Sequence, residues 1–250
     1  VDAMSDPSFA ILLFVFSTFM VAGLVKGVTG MGLPTVAMGL LATQVPPHEA
    51  ASLLLLPSLL TNLLQLAAGP DPVGAMRRFW PMMTAVAIGA LATAGLLAGD
   101  AARHATAALG AVLVVYALFG LSGRRLVAPL RAERWLAAPV GFVTGAITGA
   151  TGVFVLPAVP YLQALGLEKE DLVQALGLSF TVSTIALGLG LALSGGLEAH
   201  SLGGSAAAVA PAFLGMAIGQ RLRHAISPDG FRLAFFAGLL GLGLYLARGG

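Results

Sequence analysis

Gly23-Leu24-Val25-Lys26-Gly27-Val28-Thr29-Gly30-Met31-Gly32-Leu33-Pro34 is answered half a chain later by Gly145-Ala146-Ile147-Thr148-Gly149-Ala150-Thr151-Gly152-Val153-Phe154-Val155-Leu156-Pro157. Both stretches carry Gly-x-Thr-Gly, and both run on to Leu-Pro. Glycine and proline interrupt helices, and in an apolar chain such interruptions are tolerated where protein covers the freed backbone. Apolar segments flank each stretch, at roughly 9–25 and 28–43, then at roughly 135–147 and 150–165. Three of these four fall clearly short of the ~20 residues that a straight spanning helix needs, and the first is marginal. Each pair therefore reads as a re-entrant hairpin or as two tilted spans, and either contributes an even number of crossings.

Three longer apolar segments follow each pair, at roughly 50–68, 79–98 and 104–121, then at roughly 172–193, 202–219 and 231–247. Composition agrees with that layout. Apolar residues make up 58% of the 250 residues and charged residues 10%, with a mean hydropathy of +0.93. An average soluble domain carries about 25% charged residues. So few charges cannot cover a soluble surface, and the chain is an all-α polytopic membrane protein. Asp2 and Asp6 precede the first apolar run where a signal peptide would be basic, so that run is expected to be retained. The absence of cysteine excludes disulfides and thiol chemistry.

Charge placement sets the topology. With Arg124, Arg125, Arg131 and Arg134 in the cytoplasm, walking outward places Arg77, Arg78, Lys169, Arg221, Arg223 and Arg232 there too. Arg103 and Arg248 fall outside. Both termini then lie outside, and each half crosses an odd number of times. The expected organisation is two inverted-topology repeats, 1–123 and 135–250, joined by an Arg-rich cytoplasmic linker, 124–134. Each repeat holds one paired short-helix element, re-entrant or broken, and three spanning helices.

Inverted repeats with interrupted helices are a recurrent transporter plan, with substrate held near the midplane where the interruptions face each other. If helices begin at the two breaks, their N-termini present free N–H groups and a positive dipole end. Two such ends converging make an anion site. The expected lining is Thr29, Gly30, Met31, Thr151, Gly152 and Val153. The same glycines also suit close helix packing. Lys26 is the one strong charge inside a short pair, where it either attracts the anion or snorkels to the interface. Asn62 and Gln65 share a helix face, as do Ser179 and Ser183. Such groups suit anion oxygens, and equally suit hydrogen bonds between helices.

No Asp or Glu lies in the middle of an apolar segment, and the four histidines fall near loops. Neither a buried proton relay nor a catalytic or metal constellation is offered. No phosphate-binding loop is present. No enzyme, cofactor, metal or nucleic-acid role is expected.

The two glycine-rich stretches resemble the paired motifs of the TauE/SafE family of membrane permeases, and the resemblance extends over nearly the whole chain. Many members carry three consecutive glycines in each motif, where this chain has Gly30-Met31-Gly32 and Gly152-Val153-Phe154. The resemblance implies a multi-pass transporter of the bacterial inner membrane for sulfur-containing anions such as sulfite, sulfoacetate and other organosulfonates. A passive anion channel and a carrier of small carboxylates are the alternatives. The coupling ion, H+ or Na+, and assembly as a homodimer are left open.

Overall fold

The computed structural model describes residues 7–97, 102–124, 126–128, 130–197 and 199–249. Among them the chain is helical throughout, with no strand. The first half contains α1 (Pro7–Thr29), α2 (Leu33–Leu41), α3 (Pro47–Ala67), α4 (Pro72–Thr93) and α5 (Ala102–Leu121). The second contains α6 (Leu130–Thr151), α7 (Ala158–Ala164), α8 (Lys169–Leu193), α9 (Ala199–Leu222) and α10 (Pro228–Ala247). Each half thus runs one long helix, one short helix, then three long ones. Arg125 lies outside the described residues, as do the side chains of Arg103 and Arg131.

Seven of these helices are long and apolar enough to cross a membrane: α1, α3, α4 with its 3-10 extension to Leu97, α5, α8, α9 and α10. The short pairs differ from expectation. Each joins one helix of spanning length to one short helix. The first helix does not stop at Lys26-Gly27 but continues to Thr29, giving 23 residues. The sixth apolar segment grows into α6, with 22 residues, because its polar first turn is also helical. Polarity hides a helix from an apolar scan without breaking it.

Glycine decides which helices touch. A Cβ on Gly145 would lie 2.1 Å from the Val86 carbonyl oxygen, and one on Gly141 would lie 2.3 Å from that of Met82, so α6 and α4 cross backbone to backbone. In the same way a Cβ on Gly23 would lie 2.1 Å from Ala212 O, and one on Gly215 would lie 2.1 Å from Met20 O, where α1 crosses α9. Small residues permit this approach, which van der Waals packing rewards in lipid. The remaining close pairs include α3 with α8 and α5 with α10. Exchanging the two halves maps the α1–α9 contact onto α6–α4, and returns α3–α8 and α5–α10 to themselves.

At the centre, α8 buries Gln174 through Thr181 in succession. A helix buried all round is a core helix. Proline inside α3 is accommodated by a neighbour. Pro57 has no N–H for the Leu53 carbonyl, and Ser205 Oγ of α9 supplies a donor at 2.9 Å. The same oxygen accepts from the Leu56 N–H at 3.0 Å. Basic residues gather at one end of the bundle. Arg78 forms a bidentate pair with Glu133, at 2.7 and 2.9 Å, tying the start of α4 to that of α6. Trp80 and Trp135 are exposed beside it, as expected of rings in an interfacial belt.

Candidate functional site

The two motifs fold alike at their breaks. Thr29 and Thr151 are the last residues of α1 and α6. Gly30 and Gly152 follow with φ of 79° and 71°. That left-handed conformation is the usual helix stop and favours glycine. The Gly30 N–H returns to the Lys26 carbonyl and the Gly152 N–H to that of Thr148, both at 2.7 Å. Thr29 Oγ1 accepts from the Met31 N–H at 3.2 Å and donates to the Val25 carbonyl at 2.9 Å or that of Met31 at 2.7 Å. Thr151 Oγ1 accepts from the Val153 N–H at 3.3 Å and donates to Ile147 O at 2.7 Å.

Thr29 and Thr151 thus close the C-termini of α1 and α6, and each break runs on into the N-terminus of a short helix, α2 after Gly32 and α7 after Pro157. Both threonine hydroxyls close the chain on itself. The breaks come after the helices because glycine terminates and proline follows: Pro34 enters the first turn of α2 and Pro157 caps α7. The threonines themselves lie at the negative dipole ends of α1 and α6, and positive charge beside the first of them comes from a side chain.

Lys26 supplies it. The side chain is buried in α1 one turn before the break. Its Nζ donates to Thr61 Oγ1 at 3.1 Å and to Asn62 Oδ1 of α3. Asn62 in turn donates to Ser58 Oγ at 3.3 Å, and Thr61 donates to the Pro57 carbonyl at 2.7 Å. An unpaired cation at the centre of a membrane helix costs about 2.5–3.5 kcal/mol on an insertion scale. Here the polar face of α3 solvates it internally. Lys26 does not snorkel. Asn62 lies five residues before the end of α3, about 7.5 Å along the axis, so the first break sits nearer the basic end than the bundle centre.

A cavity of about 430 Å³ opens beside Lys26, lined also by Gly30, Thr61 and Gln65, with Lys169 and Arg223 present and Glu170 the one acid among its described lining. Gln65 itself donates to the Val173 carbonyl of α8 at 2.8 Å, so its amide fastens α3 to α8. Gln174 reciprocates, donating to Leu66 O at 2.9 Å. A larger cavity of about 870 Å³ adjoins, sharing Lys169 and Arg223. Thr29 and Met31 of the first motif line it, together with Val159 and Pro160 of α7.

The second motif is enclosed. Residues 151–155 are buried, and a Cβ on Gly152 would lie 2.9 Å from the Met38 sulfur of α2. The second motif thus lies against the short helix of the opposite half, while the first shares a cavity with α7. Ser179 and Ser183 are buried on α8, and neither hydroxyl has a hydrogen-bond partner among the described residues. Of the expected lining, Lys26, Gly30, Asn62 and Gln65 come together around α1 and α3. Thr29 and Met31 face the larger cavity. Thr151, Gly152 and Val153 are closed off.

Thr61 was missed as a partner of Lys26, although its place beside Asn62 in an apolar helix was a signal. Lys169 and Arg223 were read from sequence only as topology markers. Nothing local tells an anchoring cation from one lining a cavity.

The family model for the sulfite exporter TauE/SafE matches residues 15–246, and the chain belongs to that family. No curated protein and no solved structure matches. Members of the family are membrane transporters.

Proposed function

We propose that this chain is a secondary transporter that moves a small sulfur-containing anion, a sulfonate such as sulfoacetate or sulfite, across the bacterial inner membrane. The observation that carries the reading is the buried ammonium of Lys26 beside a cavity with two further cations. A lysine ammonium has three donors. Thr61 and Asn62 take two, and the third is left for an anion oxygen. Lys169 and Arg223 at the cavity raise the local anion concentration and draw the substrate in.

Alternating access between the halves 1–123 and 135–250, inverted relative to one another around the linker 124–134, is the mechanism we infer. The like order of helices, the exchange of contacts between halves and the like fold of the two breaks support it. The basic end faces the cytoplasm by the positive-inside rule, and the termini face outward. In this state the first break lies beside open cavities while the second is shut. Movement of α2 and α7 against the opposite motifs would reverse that asymmetry. Thr151, Gly152, Val153, Ser179 and Ser183 then serve the outward-facing half of the cycle.

The test is flux into proteoliposomes loaded with unlabelled anion. A carrier shows counterflow of labelled sulfite or sulfoacetate, lost in Lys26→Met. Conductance without counterflow would replace the carrier with a channel. Counterflow of acetate but of neither sulfur anion would move the substrate to carboxylates.

A further inference from the structure

The hydrogen bonds around Lys26 fix what its nitrogen can do. Asn62 Oδ1 only accepts, and Asn62 Nδ2 is already directed to Ser58 Oγ. The Thr61 hydroxyl hydrogen is committed to the carbonyl of Pro57 at 2.7 Å or that of Ser58 at 3.2 Å, so the Thr61 oxygen accepts from Lys26. Both neighbours need an N–H from Lys26, and neither gives it one. An ammonium has three N–H groups; a neutral amine has two and a lone pair. Two N–H groups satisfy the protein in either form. Only the third position on the nitrogen is free to change.

We propose that this third position is a proton-binding site: Lys26 takes up one proton with each anion and releases the two together, so that the chain is a proton–anion cotransporter. The inference rests on the transport reading and adds the coupled ion to it. The proton comes from water in the cavity beside Lys26 and bonds to the nitrogen lone pair. It returns to water on the other side when the anion leaves, and no bond of the anion breaks.

The surroundings show why the two travel together. Lys26 is 3% exposed, and among the described residues no carboxylate pairs with it. It is the only titratable residue of α1, and α2 has none. Between His200 and Arg221, α9 has none either. On α3 the titratable residues are His48 and Glu49, and Glu49 is about 18 Å along the axis from Thr61. Beyond its first turn, with Lys169, Glu170 and Asp171, α8 carries none. The groups that share the cavity with Lys26 are Lys169, Glu170 and Arg223, all exposed. No fixed negative charge therefore answers the ammonium inside the bundle, and a buried charge without a partner is the costly case. The anion supplies that partner. Loaded, the site holds a neutral ammonium–anion pair; empty, it holds a neutral amine on the same two acceptors. Proton and anion each favour the binding of the other by linkage.

The experiment is net uptake of labelled sulfoacetate into proteoliposomes that hold an internal pH dye, with voltage clamped by valinomycin and equal potassium. Sulfoacetate is fully ionised near pH 7 and brings no proton of its own. One proton is expected to enter per anion, and an inward gradient of one pH unit should raise accumulation about tenfold. Uptake without acidification overturns the proposal. Exchanging sodium for choline should change neither result; a sodium requirement would replace the proton and overturn it too. Glu170→Gln should keep the stoichiometry, and its loss there would move the proton to that carboxylate and refute the assignment to Lys26. Lys26→Arg keeps a charge that does not dissociate. It should slow net uptake about tenfold more than counterflow, because only net uptake returns an empty site. Equal slowing of the two would overturn the assignment. Absence of counterflow in the unaltered chain sinks the transport reading and the coupling with it, whereas counterflow with uptake that moves no proton sinks the coupling alone.

Discussion

Lys26 and Asn62, 36 positions apart in sequence, are joined inside the bundle by a hydrogen bond from the ammonium to the amide oxygen. That bond links the helix ahead of the first break to the polar face of α3. It turns a costly buried charge into a held one.

Asn62→Leu removes the acceptor and leaves the charge. Hydrogen bonds to charged groups contribute about 1.5–3 kcal/mol, and loss of that order is expected in the apparent stability of the detergent-solubilised protein. In the Lys26→Met background the same change should cost much less. Equal losses in the two backgrounds would show that the residues are not energetically coupled.

Close helix crossings predict a sharp contrast among glycines. Gly145→Ala drives a methyl into the Val86 carbonyl, and overpacking of this kind costs about 1–3 kcal/mol. Gly238→Ala, in α10 with nothing within 4 Å of a new Cβ, should be neutral or gain up to about 1 kcal/mol from helix propensity. Thermal unfolding of both variants checks the difference, and equal melting temperatures would contradict the crossing.

Ser205→Ala withdraws the hydroxyl that serves both Leu53 and Leu56 around Pro57. Orphaning a buried backbone group costs about 1–3 kcal/mol. Loss of stability is expected, and Ser205→Thr, which keeps the oxygen, should recover part of it. An Ala variant as stable as the parent would mean that the α3 carbonyl left open by Pro57 needs no partner.

Ser179→Ala and Ser183→Ala should behave in the opposite way. Their hydroxyls are buried without partners among the described residues, so removing them relieves desolvation that costs about 1–3 kcal/mol per group. A higher melting temperature together with slower transport is the expected pair of results. Raised stability with unchanged flux would remove these serines from the transport cycle.

Thr29→Val and Thr151→Val each delete one chain-closing hydroxyl. Loss of about 0.5–1.5 kcal/mol is expected in each, similar in size because the two breaks are folded alike. Sulfite affinity should fall less in either than in Lys26→Met. A larger loss of affinity in Thr29→Val would restore that hydroxyl as a direct ligand.

Much of the fold was legible because it is dictated locally. Long apolar runs with few charges demand a membrane, and glycine with a following proline stops a helix whatever surrounds it. Helix ends were less so. The scan for apolar runs cut α6 short, since Glu133 and Arg134 in its first turn are polar yet helical.

The sequence by itself determined the helical membrane class, the two matching breaks and the concentration of positive charge in a set of loops, because each depends on residue type and spacing along one segment. Tertiary structure decided what the breaks can do. Thr29 and Thr151 close α1 and α6 rather than opening α2 and α7, and that sets the dipole end at which they sit. Whether Lys26 reaches an interface or an asparagine on another helix depended on how α1 packs against α3. Whether arginines merely anchor loops or line a cavity depended on the convergence of α1, α5, α7 and α10 at one end. Those outcomes come from packing between segments far apart in the chain, and no local pattern encodes them.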